Sequence, residues 1–205
     1  MRLKNIPDAK ERLEKSGLLI KKPINLNTNW IIEVGMGKGE MLTQMAYQNP
    51  NLNFLGIEKF PSAAVKAIKF AKTFKLQNFY ILVEDITKIL EISNGKVDQI
   101  WLTFSDPWPK KKHAKRRLTH KNYLEIYKQL LTKDGKLRLK TDNDQFFEFS
   151  KESLLENGWK ILYETIDIQQ SYFAQTNIQT GYEKKWSQKN KNINYLEATF
   201  KSVNS

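Results

Sequence analysis

Asp106-Pro107-Trp108-Pro109, followed at once by Lys110-Lys111-Lys112, is the stretch of the chain best suited to chemistry. It comes directly after an apolar run, Ile100 to Phe104, that reads as a buried strand. Proline fixes φ and removes a backbone donor, so the chain cannot turn straight from this strand into a helix. Asp106 is therefore expected at the carboxyl end of a sheet, presented rather than folded away. The cations beside it are dense: Lys110, Lys111, Lys112, Lys115, Arg116 and Arg117 put six charges into eight positions. Such a run is ordinarily a solvated face, but its place directly after the carboxylate argues for a polyanion grip. Arg116 and Arg117 are the expected phosphate contacts. Trp108 is expected to pack beneath the loop rather than to stack on a base.

A second constellation lies upstream. Glu33-Val34-Gly35-Met36-Gly37-Lys38-Gly39-Glu40 joins an apolar strand to a helical stretch. Glycines let such a turn tighten and let a ligand approach the backbone; a plain tight turn would need no ligand. Glu58 ends the next strand, 19 residues beyond Gly39, where a carboxylate can accept both hydroxyls of a ribose. A dinucleotide is the obvious rival ligand. Its sites favour G-x-G-x-x-G, whereas the spacing here is G-x-G-x-G with Glu40 where a diphosphate would sit. Glu33 also suits a cationic ligand. S-adenosylmethionine has a ribose, a sulfonium and an ammonium but no phosphate, and fits this set better. Asp85, after the third strand, is the candidate for the adenine amino group; the alternative is a solvated loop acid.

The elements that must hold these residues alternate. Strand-like runs at Trp30–Val34, Asn53–Glu58, Phe79–Val83, Val97–Phe104 and Lys136–Lys140 are separated by helical spacing at 40–48, from Pro61 to about Phe74, at 123–131 and at 145–155. This rhythm predicts an α/β fold with a doubly wound, mostly parallel sheet, its central strands covered on both faces. Trp159–Ile166 and Tyr195–Phe200 read as closing strands with no helix evident between them, so the last strand is expected to be antiparallel. Residues 167–194, rich in Gln, Asn and Lys, read as a long loop that contacts substrate.

At 205 residues the chain is expected to be a single domain, with an N-terminal segment at 1–28. Net charge is +12, which favours a polyanionic partner, although abundant Lys, Asn and Ile also fit an AT-rich genome. There is no cysteine, which excludes disulfides, thiolate metal sites and cysteine nucleophiles. His113 and His120 lack metal-ligand spacing, so no metal is expected. The charged N-terminus has no signal-peptide core, and no apolar run could span a bilayer. A cytoplasmic setting without membrane contact is expected.

Taken together these motifs resemble the tRNA (guanine-N7)-methyltransferases of the bacterial single-chain type. The resemblance runs from about Trp30 to Phe200. It rests on the glycine loop, Gly56-Ile57-Glu58, the block from Asp106 to Arg117, Lys140-Thr141-Asp142-Asn143 and Thr180-Gly181-Tyr182-Glu183. It implies a class I methyltransferase fold and methyl transfer from S-adenosylmethionine, with S-adenosylhomocysteine as product, to a guanine in the tRNA variable loop. It implies cofactor contacts from Glu33, Gly35, Gly37, Gly39, Glu58, Asp85 and Asp106. Lys110, Asp142, Thr180, Gly181, Tyr182 and Glu183 would contact substrate. RNA would meet Lys112, His113, Ala114, Lys115, Arg116 and Arg117. No obligate protein partner is implied.

Guanine N7 has a lone pair and no proton to lose, so no strong general base is needed. Asp106 is the expected catalytic residue, stabilising the charge that moves onto the purine or accepting from its N–H groups. Asp142 and Glu183 are candidate readers of the Watson–Crick edge. Asp142 could instead cap the helix that follows it, and Glu183 could be a surface charge. Three rival functions remain: methylation of an exocyclic amine, for which Asp106-Pro107-Trp108-Pro109 is a near relative of the usual loop; an RNA-binding module with a vestigial pocket; and an NAD oxidoreductase.

Overall fold

The computed structural model describes residues 4–200. The chain divides into two compact units, Met1–Val97 and Asp98–Ser205, with no linker to announce the boundary.

The first unit contains helix α1 (Ala9–Lys15), strand β1 (Ile24–Asn25), β2 (Trp30–Val34), α2 (Glu40–Gln48), β3 (Asn53–Ile57), α3 (Pro61–Ala64), α4 (Ala67–Thr73), β4 (Phe79–Leu82), α5 (Ile89–Ile92) and β5 (Ser93–Asn94). The second contains β6 (Val97–Thr103, its first residue at the boundary), α6 (Lys121–Leu130), β7 (Leu131–Thr141), α7 (Asp144–Glu156), β8 (Trp159–Thr165), α8 (Gly181–Ser187) and β9 (Asn194–Phe200). The principal strands follow the order β4-β3-β2 in the first unit and β6-β7-β9-β8 in the second.

In the first unit β2, β3 and β4 pair in parallel, Val34 opposite Ile57 and Ile57 opposite Leu82. Ile31, Ile32, Val34, Phe54, Leu55, Ile57, Phe79, Ile81 and Leu82 are all buried, which is why these short strands read as continuous apolar runs. The single helix expected from Pro61 is two. Between them Lys66 N–H donates to Ala63 O at 3.1 Å and Ile68 N–H to Val65 O at 3.4 Å, three-residue bonds that tighten the chain and interrupt the α-ladder.

In the second unit β9 runs antiparallel to both β7 and β8, with Leu139 opposite Leu196 and Thr165 opposite Tyr195. The mostly parallel α/β sheet with an antiparallel last strand is the one observed. Strand β7 begins at Leu131, ahead of the expected start at Lys136, because α6 passes into it without a loop. The polar Lys133-Asp134-Gly135 stretch, ahead of the expected start, lies within this strand, where Thr199 Oγ1 donates to Gly135 O at 2.9 Å.

Glu197 on β9 accepts from Lys136 Nζ at 2.9 Å, from Arg138 Nε at 2.8 Å and from the Tyr195 hydroxyl at 3.3 Å. Burial alone would push its carboxyl up, but the two cations outweigh burial and hold it below the ordinary range. Burial raises the Tyr195 phenol well above its usual value, so it stays a donor. A depressed carboxyl contributes stability above its unfolded pKa and loses that contribution as pH falls through the folded value. The stability gap between wild type and Glu197→Gln should therefore be widest near neutrality. It should shrink as pH drops below about 4.3. Urea unfolding at several pH values would show this; a gap independent of pH would refute it.

Candidate functional site

In the first unit the glycine loop folds back onto β3. Gly35 N–H and Met36 N–H both donate to Ile57 O, at 2.8 and 3.2 Å. Gly35, Gly37 and Gly39 take left-handed φ values of 74°, 57° and 67°. Gly39 ends the loop and starts α2, and a Cβ there would lie 2.9 Å from the Cβ of Ala67. Gly56 is bare for a different reason: a Cβ on it would lie 2.0 Å from Met36 Sδ, so the missing side chain leaves the seat for Met36. Beside Gly37, by contrast, there is open space where a Cβ would point.

Glu58 straps this loop. Its Oε2 accepts from Gly37 N–H at 3.0 Å and its Oε1 from Phe60 N–H at 3.0 Å. Glu33 lies on β2 opposite Gly56 and is 2% exposed. Asp85, half-buried, caps the 3₁₀ turn Ile86–Lys88, its Oδ1 accepting from Thr87 N–H at 3.0 Å and Thr87 Oγ1 at 2.9 Å. Asp85 thus has a local structural task that its sequence position did not disclose.

In the second unit the chain leaves β6 through Ser105–Pro109 without helix, as the two prolines require, and Asp106 is exposed. Phe104 and Trp108 hold left-handed φ values of 49° and 42°, unusual for non-glycine residues. Trp108 is half-buried, as expected, edge-on to His113 at 5.7 Å with the Arg116 guanidinium 4.9 Å above its ring. The 3₁₀ turn Lys111–Arg116 follows, leaving Lys110, Lys111, Lys112, Lys115 and Arg116 exposed, with His113 and Ala114 half-buried. His120 caps α6 by accepting from Asn122 N–H. Burial, then the charges of Lys121 and Lys115, hold its imidazole below the usual value, so Nδ1 stays an acceptor.

Arg117 departs from the expected phosphate contact. Its Nε donates to Pro107 O at 3.0 Å and its Nη2 to Trp108 O at 3.0 Å, and the guanidinium lies 4.2 Å from the Phe149 ring centre. The fork is turned inward onto the Asp106 loop.

Asp142 does not cap the next helix. Asn143 does so, accepting from Phe146 N–H at 2.8 Å, while Asp142 Oδ2 accepts from the Tyr182 hydroxyl at 3.0 Å. Burial and the Asp142 carboxylate raise the Tyr182 phenol, keeping it protonated for this bond. The ring of Tyr182 is exposed and tilts against Phe104 at 4.9 Å.

Residues 167–194 are not a plain loop. They hold two 3₁₀ turns, Ile168–Gln170 and Tyr172–Gln175, and helix α8. Thr180 caps α8, accepting from Glu183 N–H at 3.1 Å. Thr180-x-x-Glu183 is capping-box spacing, the signal by which the helix could have been read. Glu183 is not a surface charge: it is 0% exposed and paired with Lys140, 1% exposed, at 2.6 Å. Gln169 Nε2 and Asn177 Nδ2 donate to its other oxygen at 3.1 and 2.6 Å. Lys140 Nζ also donates to Asn177 Oδ1 at 2.7 Å and Ile178 O at 3.1 Å. Expected to read the base directly, Glu183 is instead enclosed as the anchor that seats α8.

Comparison with known proteins decides the family. Residues 27–196 match the model of the family described as "Putative methyltransferase". The chain is 60% identical over 200 residues to the tRNA (guanine-N(7)-)-methyltransferase of Mesomycoplasma hyopneumoniae strain J, covering 98% of this chain and 100% of that protein. The chain belongs to the tRNA (guanine-N(7)-)-methyltransferase family. A second family member, from Mycoplasmopsis pulmonis, is 48% identical over 202 residues, covering 98% of this chain and all of that one. Among solved structures, the 16S rRNA methyltransferase KamB superposes with TM-score 0.62 at 14% identity, over 98% of this chain and 97% of that chain. A 16S rRNA (adenine(1408)-N(1))-methyltransferase with cosubstrate SAM, from Catenulisporales acidiphilia, superposes with TM-score 0.59 at 10% identity, over 100% of this chain and 96% of that chain. These remote likenesses establish the family's fold alone. Among the described residues no helix is long and apolar enough to cross a membrane.

Proposed function

We propose that this enzyme transfers the methyl group of S-adenosylmethionine to N7 of a guanine in the variable loop of tRNA, in the cytoplasm and without an obligate protein partner. The observation that carries this reading is an exposed Asp106 at the head of an exposed cationic turn, in a chain 60% identical end to end to a tRNA (guanine-N(7)-)-methyltransferase.

The first unit's residues suit the methyl donor. The open side of Gly37 lets a ligand reach the backbone. Glu58, oriented by two backbone N–H groups, would accept from ribose hydroxyls. Glu33 would supply negative charge toward a cationic ligand, and Asp85 Oδ2 would accept from an adenine amino group. When bound, S-adenosylmethionine supplies an electrophilic methyl group on a positively charged sulfur.

The second unit's residues suit the acceptor. N7 needs no base, so the task is to orient the purine and accommodate the positive charge it gains. Asp106 would do the latter, or accept from the guanine N–H groups. Asp142 and the Tyr182 ring would meet the base, Lys110 the nucleotide, and Thr180, Gly181 and Glu183 would hold that surface in place. Lys112, Lys115 and Arg116 would neutralise phosphates, flanked by His113 and Ala114.

Incubating the purified protein with unmodified tRNA and methyl-labelled cofactor should yield 7-methylguanosine in the variable loop on nucleoside digestion. Label on an exocyclic amine, or no label in any transcript, would overturn the reading. Replacing Lys112, Lys115 and Arg116 together by Ala should weaken tRNA binding and flatten the plot of log K against log salt by about one unit for each phosphate no longer neutralised. An unchanged slope would return these cations to the solvated surface.

A further inference from the structure

We propose that Arg117 is a positioning residue for Asp106 rather than a ligand for RNA, an inference that rests on the function just proposed. The loop between Phe104 and Lys110 cannot tie itself down. Pro107 and Pro109 have no N–H to give, and the residues at 104 and 108 sit in a left-handed conformation that a non-glycine chain leaves readily. Something outside the loop must hold it. Arg117 is placed to do so: Nε and Nη2 grip the carbonyls of Pro107 and Trp108, the two residues after Asp106, at 3.0 Å each. The guanidinium carbon lies over the Phe149 ring, 4.2 Å from its centre, which packs the fork against α7. The side chain is half-buried, whereas its neighbours Lys115 and Arg116 are exposed.

The planar fork is what matters. A lysine ammonium would keep the charge but could not span two carbonyls with parallel donors or stack flat on a ring. Neutralising a phosphate needs chiefly the charge, which Lys supplies, so Arg117→Lys separates the two roles.

The test uses the full chain with Arg117→Ala and Arg117→Lys. Single-turnover methylation at saturating tRNA and cofactor is expected to fall by roughly 10²-fold in both, the cost of about an ångström of misplacement. The tRNA Kd and its salt slope should stay at wild-type values. Normal turnover with weakened, less salt-dependent binding in Arg117→Ala, restored by Lys, would overturn the proposal. Amide exchange over residues 104–110 gives a readout independent of the reaction: it should quicken in both variants, and unchanged exchange would overturn the proposal even if the wild type methylated nothing. That last case would sink the proposed function separately. Should Arg117→Ala not fold, Phe149→Leu serves in its place. It should accelerate the same exchange and slow methylation at unaltered tRNA affinity, and no change in either would count against the proposal.

Discussion

Lys140→Met should lower the unfolding free energy by about 3–5 kcal/mol, the usual consequence of removing one partner from a buried ion pair. The ammonium is 1% exposed and the carboxylate of Glu183 0%. Without the ammonium, Glu183 would stay enclosed with, among the described residues, the amides of Gln169 and Asn177 to offset its charge. The same substitution would release α8, because Lys140 also holds Asn177 and Ile178 in the approach to that helix. Urea unfolding would measure the effect. A double variant, Lys140→Met with Glu183→Leu, should be less destabilised than the sum of its parts, because no uncompensated charge remains. Additive effects would show that the pair is not coupled as its geometry requires.

Asp106→Ala should cut the methyl-transfer rate by about 10²–10³-fold, the scale seen when one preorganised electrostatic group is removed from a transition state. Affinity for tRNA should change little, because the exposed cations that follow Asp106 are untouched. Asp106→Asn should lie between the two, since the amide keeps an acceptor oxygen and loses the charge. Single-turnover rates beside tRNA binding isotherms would separate the effects. A rate close to wild type in Asp106→Ala would remove this carboxylate from the chemistry.

The parts of the structure that local pattern governs were readable. Helix α2 spans Glu40–Gln48 as its spacing predicts, and β2 spans Trp30–Val34, because buried parallel strands and the helices between them are specified by nearby residues. The exposure of Asp106 followed from proline chemistry, and the packing of Trp108 from the usual burial of tryptophan. What escaped was set by partners far along the chain. Glu183 looks solvated among Gln, Asn and Lys; only its pairing with Lys140, 43 residues away, makes it interior. Arg117 looks like its neighbours in a cationic run until the fold brings Phe149 against its guanidinium. Helix α8 was hidden by polar composition: its one buried charge, Glu183, pairs with Lys140, and Trp186 packs against Ile168, Ile193 and Tyr195, partners that lie outside the helix. Asp142 and Asn143 are adjacent and both able to cap, and sequence could not say which would.

The sulfur of Met36 rests where Gly56 has no side chain. The constraint runs one way: a side chain at position 56 is admissible only if the methionine swings its thioether aside or gives way to a smaller residue. Where the thioether stays, shrinkage at position 36 thus has to precede or accompany growth at position 56, and never the reverse.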